Sequence, residues 1–343
     1  NDSSSAEADT ISQGSAEGLM AGMVAHMSEI SYGRLKIAPL GDGGSAITPP
    51  LAINATAASY NDAGLSRLYP DARNAAAAAG YNLNDYQFFA VFTGGRPSAG
   101  YAGLAYVGGI GIHIANGYWG RNILVHELGH NLGLPHAHTW DTASNSIIGD
   151  GSNVEYGNGY DPMGSGSDND HYSGSYKRLI DWIPGADGNA VSTPGIYRLY
   201  AHDNFYGNQG LRTLRVSRSG SQDYSFDFKG DRGEAEFQNG LFAHFCNKDG
   251  RESYLLDCTP RQNNIAQPLG RTFTDPTAGV YVTPLRRTAT YPAGMDVAVY
   301  FNTPGNRPPR AVVTCHSPQA PANAEILFTA EASDPDGDEL AYS

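Results

Sequence analysis

Residues 126 to 136 read His-Glu-Leu-Gly-His-Asn-Leu-Gly-Leu-Pro-His. Histidines at i and i+4 leave one helical face together, so His126 and His130 can grip a single ion. Gly133 can adopt a left-handed conformation, end that helix and turn the chain so that His136 reaches the same ion from another side. Three imidazoles suit borderline-soft Zn²⁺ and leave one tetrahedral position open, which catalytic zinc needs and structural zinc does not. Water there would lose a proton to Glu127, which can later return it to a leaving amine, while the metal polarises a carbonyl. With ten His and 42 Gly in the chain, these five positions coincide by chance roughly once in 10⁴ chains, so ordinary helix composition is a poor account of them. Leu124, Val125, Leu128 and Leu132 carry no such chemistry and are expected to pack the core.

Such a site needs a helix over about residues 121–132, with a Gly-punctuated extended segment, 105–115, before it. Leu19, Met20, Met23, Val24 and Met27 recur on one face of a further helix near the start. Residues 71–80 read as an Ala-rich helix closed by Gly80, and residues 34–40 and 86–92 as strands, the second closed by Gly94 and Gly95. Residues 140–166 are loop-like and residues 176–182 helical. From residue 195 to 301, short alternating runs such as 197–200, 213–216 and 280–283 predict a mostly β region. The fold class is therefore α+β. A zinc-binding domain of twisted sheet and long helices is expected over residues 1–187, a β-rich subdomain over 188–304, a Pro-rich linker over 305–310 and a second β unit over 311–343. No internal repeat is present.

A net charge of −13 and the lack of any basic stripe exclude a nucleic-acid partner. No run of 18 apolar residues exists to span a membrane. The chain begins at Asn1 without Met or an apolar leader, from which a removed signal peptide and a secreted, extracellular protein are expected. In an oxidising compartment Cys246 and Cys258 could be bridged across a turn-rich stretch, leaving Cys315 over; three free buried thiols are the alternative.

The His-Glu-x-x-His-x-x-Gly-x-x-His pattern resembles the metzincin clan of zinc peptidases, in which a methionine turn lies beneath the three histidines. Met163, in Tyr160-Asp161-Pro162-Met163-Gly164, is the matching candidate. Within the clan, His130-Asn131-Leu132-Gly133, Ala137, the run Leu255-Leu256-Asp257-Cys258-Thr259-Pro260 and Phe273-Thr274-Asp275 look most like the gametolysin-type peptidases. Cys258 and Pro135 depart from that pattern and weaken any transfer of substrate preference. The resemblance implies a metzincin-like catalytic domain that hydrolyses peptide bonds of extracellular proteins, matrix or cell-wall glycoproteins among them. It also implies that the strand before the active-site helix pairs with extended substrate, here through Gly109, Gly111 and His113. Some metzincins use a tyrosine after the methionine turn to assist the oxyanion. None stands two residues after Met163, and Tyr172 and His171 are the nearest candidates.

Asp141, Asp150, Glu155, Asp161, Asp168 and Asp170 supply hard oxygen atoms that could hold Ca²⁺, with a solvated acidic loop as the alternative. The tail, from Asn306-Arg307-Pro308-Pro309 through Asp334, Asp336 and Asp338, resembles the opening of a polycystic-kidney-disease-type or immunoglobulin-like domain. Two other classes of function compete: a non-catalytic zinc-containing binding or adhesion protein, and hydrolysis of a non-peptide bond. Nothing in the sequence bears on oligomeric state.

Overall fold

A computed structural model describes residues 11–38, 46–53, 60, 65–93, 101–115, 119–144, 146–204, 210–230, 240–260, 262, 264–288, 292–302, 310–317, 319–335, 337 and 340. Residues 305–309 of the expected 305–310 linker, together with Gly94, Gly95, Asp336 and Asp338, lie outside them. The described residues form a mixed α/β structure with four α-helices and many more strands. None of the helices is long and apolar enough to cross a membrane.

Helix α1 (Gln13–Ile30) buries Met23, Met27 and Ile30, and the Ser12 side chain caps it by accepting from Ser15 N. That is the face expected from the methionine spacing. Helix α2 (Leu65–Ala78) starts six residues before the predicted position and keeps Pro70 inside it. Gly80, at φ 96°, follows its end. Residues 34–38 are irregular rather than a strand.

A three-stranded sheet comprises β1 (Phe89–Phe92), β2 (Gly103–Ala105) and β3 (Gly111–Ile114), in the order β1-β3-β2. Strand β3 runs parallel to β1 and antiparallel to β2. The segment 105–115, expected to be one extended stretch, is thus a hairpin turn followed by a central strand. Helix α3 (Arg121–Asn131) packs on this sheet and on α1, and Leu124, Val125 and Leu128 join Met27, Ile30, Ile112, Ile114 and Met163 in one core.

The predicted loop after α3 carries two strands, β4 (His138–Thr142) and β5 (Gly151–Val154), before helix α4 (Gly174–Leu179). Beyond it follow β6 (Ala190–Val191), β7 (Gly195–Tyr200), β8 (Leu214–Ser217), β9 (Gln222–Asp227), β10 (Gly240–Asn247), β11 (Ser253–Leu256) and β12 (Gln267–Pro268). Then come β13 (Phe273–Asp275), β14 (Val280–Thr288) and β15 (Gly294–Phe301). The larger sheet runs β5-β4-β11-β10-β9-β8-β6 with β12 on β10, and a four-stranded sheet runs β13-β14-β15-β7. Their facing side chains, among them Phe226, Leu241, Phe273, Val282 and Val297, form the second core. Strand β4 pairs parallel with β11, His138 opposite Tyr254, so the expected division between residues 187 and 188 is bridged by a shared sheet.

Cys246 and Cys258 are free and buried. Cys246 stands opposite Ser253, and Cys258 lies five positions further along a nearly extended chain. At about 3.3 Å per residue that distance far exceeds the roughly 7 Å limit for a bridge, so the expected pairing is replaced by two separate core thiols. Strands β16 (Arg310–Cys315) and β17 (Phe328–Ser333) form an isolated antiparallel pair whose Val312, Val313 and Phe328 are exposed.

Candidate metal centre

Helix α3 ends where Gly133, at φ 102°, takes the left-handed conformation expected of it. Gly133 N donates to His130 O and Leu134 N to Gly129 O, both at 2.9 Å, the paired closure of a Schellman turn. This turn reverses the chain and returns His136 to His126 and His130. The three rings offer ligand nitrogens within 4.8 Å of one another, and among the described residues no other such group of His, Cys, Asp or Glu is found.

Each ring is held from behind. His126 Nδ1 lies 2.7 Å from Pro162 O, His130 Nδ1 2.7 Å from Leu134 O, and His136 Nδ1 2.8 Å from Glu155 Oε1. Carbonyl and carboxylate oxygens only accept, so each Nδ1 carries the proton and each Nε2 presents a lone pair. That is the outer bonding that fixes tautomer and orientation in imidazole metal sites. Burial pushes His126 down to about 4 and lowers His130 as well, so both rings stay neutral and ligand-competent at neutral pH.

Glu127 is buried, and among the described residues its Oε2 has no hydrogen-bond partner. Burial raises the carboxyl to about 8. An unpartnered carboxylate beside three converging lone pairs fits a divalent cation and the water that accompanies it. Gly103 makes this placement possible, because a Cβ there would meet Glu127 Oε1 at 2.5 Å and Ile123 at 2.7 Å.

Met163 is fully buried in the core beneath α3, and a Cβ on Gly129 would overlap its Sδ. The turn around it is pinned at several points. Met163 N donates to Asp161 Oδ1 at 2.8 Å, Ser173 N to Asp161 Oδ2 at 2.7 Å, and Ala137 N to Met163 O at 2.8 Å. The segment therefore holds His126 through Pro162 O and the chain after His136 through Met163 O.

Other sequence candidates fall elsewhere. The Tyr172 hydroxyl donates to Val125 O at 2.7 Å, fully buried, and His171 Nδ1 accepts from Lys177 Nζ at 3.0 Å. Both are committed to packing, so the structure does not bring them to the open side of the site. Gly111 and His113 lie on β3, flanked on both sides by β1 and β2, and Gly109 is in the hairpin turn. Among the described residues β3 is thus the central strand of this sheet, and β1 and β2 are its edges. The tight approach at Gly111 is to the Tyr69 and Phe89 rings, not to a peptide.

The acidic loop residues do not converge as a calcium site would require. Glu155 holds His136, Asp161 holds the Met163 turn, Asp168 Oδ1 accepts Asn122 N at the start of α3, and Asp170 pairs with Lys229. Glu155 and Asp161 thus serve the metal centre in ways no spacing rule indicated. Tyr156 was also missed; its ring lies tilted against His136 with centroids 4.0 Å apart and stacks at 5.9 Å from His126. Burial first, then the Glu155 and Glu127 charges, raises its hydroxyl pKa and keeps it protonated.

Three imidazoles with fixed tautomers beside an unpartnered carboxylate could hold a metal ion. Residues 73–165 match the family model described as Peptidase M66, 93 of 343 residues, and that span holds the histidines, Glu127 and Met163. The match supports a peptidase of that family, suggests a metallopeptidase and implies a protein substrate. No curated protein and no solved structure matches the chain.

Proposed function

We propose that the chain is a secreted zinc-dependent endopeptidase acting on extracellular proteins, with His126, His130 and His136 as the metal ligands and Glu127 as general base and acid. The observation that carries this reading is the convergence of three Nε2 lone pairs beside the unpartnered Glu127 carboxylate. Zinc suits three neutral imidazoles, and when bound it would supply Lewis-acid polarisation and lower the pKa of water.

The chain's own groups supply the rest. Ala115 N donates to Ala102 O across the β2–β3 pair, and antiparallel bonding alternates. Leu104 therefore faces β3, while the backbone groups of Gly103 and Ala105 point to the open edge. An extended peptide pairing there passes directly over Glu127, the residue against which Gly103 packs. Glu127 takes the proton of the attacking water and delivers it to the leaving amine, and a carboxyl raised toward neutrality suits both transfers. Met163 contributes an apolar floor that keeps the α3 histidines in place. We assign the peptidase unit to residues 1–187 with β4 and β5 reaching into the β-rich region, and the tail after residue 310 to an immunoglobulin-like module.

Hydrolysis of casein, gelatin and a mixed peptide library by zinc-loaded wild type and Glu127→Gln tests the reading, with metal content and folding checked in both. A loss of at least about 10²-fold with zinc retained is expected. An equally active variant would remove Glu127 from the chemistry. A wild type that binds zinc yet cleaves nothing would favour the non-catalytic binding protein.

A further inference from the structure

We infer that Tyr156 is a catalytic residue whose hydroxyl donates a hydrogen bond to the oxyanion formed when water attacks the scissile carbonyl. This inference rests on the peptidase reading above.

Tyr156 follows β5 in the turn that also carries Glu155. Its ring overlies His136 at 4.0 Å and 38°, and His126 at 5.9 Å and 28°, and it is 43 % exposed. It therefore borders two of the three ligands from the solvent side. Among the described residues its hydroxyl has no hydrogen-bond partner. Tyr172 and His171, the other candidates for such a donor, are spent on Val125 O and Lys177.

The backbone shows that this placement is held against a cost. Tyr156 has φ 60°, a left-handed conformation that L residues with a Cβ avoid and that recurs at functional sites. Its neighbours enforce it. Glu155 Oε1 is tied to His136 Nδ1 at 2.8 Å, and Gly157 N donates to Val154 O at 3.0 Å. Gly157 itself has no room for a Cβ, which would lie 3.1 Å from Thr139 Cβ and 2.9 Å from Val154 O. A tight turn closed on both sides thus aims the ring at the imidazoles.

In the reaction Tyr156 keeps its proton. The water proton passes to Glu127 and then to the amine, and the phenol stabilises the developing negative oxygen as a preorganised donor. A ring that merely shielded His136 would need no hydroxyl, and phenylalanine would serve as well.

The experiment compares zinc-loaded wild type, Tyr156→Phe and Tyr156→Gly on one cleaved peptide. Calorimetric Kd values for a phosphinic peptide, a tetrahedral mimic, and for the corresponding product peptide are measured alongside, with zinc content and Tm. Tyr156→Phe should lower kcat by about 10²–10³ with KM within about twofold. Its phosphinic-peptide affinity should fall by a similar factor and its product affinity should not change. Tyr156→Gly should lose kcat equally while Tm holds or rises, because glycine accepts φ 60°. A Tyr156→Phe enzyme with wild-type kcat and phosphinic affinity, or one that weakens both ligands alike, overturns the role of Tyr156 and leaves the peptidase reading standing. A wild type that neither cleaves a peptide nor binds the phosphinic peptide overturns both.

Discussion

Replacing Gly129 by Ala should destabilise the protein by about 1 kcal/mol, although Ala is the better helix former by about 1 kcal/mol and Gly129 lies inside α3. The opposing term comes from the methionine floor. A Cβ at this position overlaps Met163 Sδ and lies 2.9 Å from the Tyr172 hydroxyl. Both side chains are fully buried, and Tyr172 is held by its bond to Val125 O, so only Met163 can move and it has little space to move into. Overpacking of this kind costs about 1–3 kcal/mol, enough to outweigh the propensity gain. The assay is denaturant unfolding of Gly129→Ala, Met163→Ala and the double variant. Met163→Ala alone should cost about 2–5 kcal/mol through the cavity it leaves. In that background the new methyl fills part of the space, so the two changes should couple favourably by about 1–3 kcal/mol. Additive single effects, or a Gly129→Ala protein more stable than wild type by the full propensity term, would refute this account of the floor.

Glu155→Ala should weaken zinc binding by about 10-fold, the lower end of the range for outer partners because the Glu155 side chain is 60 % exposed. Competition with a chromogenic chelator measures it, and unchanged affinity would mean that His136 needs no partner. His113 makes a separate, pH-dependent contribution, since burial lowers it to about 4 from an ordinary value near 6.5. The unfolded chain binds the proton more readily, so this stabilisation is complete above pH about 6.5 and is lost as pH falls toward 4, by roughly 3 kcal/mol in all. His113→Gln should flatten stability over that window by up to one proton; superimposable profiles would count against it.

The three converging histidines, the helix and the turn at Gly133 were legible because they depend on local spacing, which sequence records directly. Met163 was legible only through family resemblance. Glu155, Asp161 and Tyr156 were not, because contacts across turns leave no period: Glu155 and Asp161 resembled a dispersed calcium supply, and Tyr156 carried no signal. The same reason hid that Gly111 and His113 stand on a central strand. Glycines at 109 and 111 signal close approach, but not whether a peptide or the Tyr69 and Phe89 rings do the approaching. Strand order decides which strand is an edge, and order is a nonlocal property. The β4–β5 pair was hidden for a further reason, since its residues are mostly polar, half-buried or exposed, and show no alternation.

The parallel pairing of β4 with β11 orders events in time. The arm that carries His136 continues without interruption into β4, and its partner strand consists of residues 254–256. A chain growing from its amino end can form the helix bearing His126 and His130 early, but the strand that follows His136 waits for the β-rich half to be made and to close a long loop. The local turn at Gly133 can bring His136 round early, but the strand that continues from it is anchored in the sheet only late in folding.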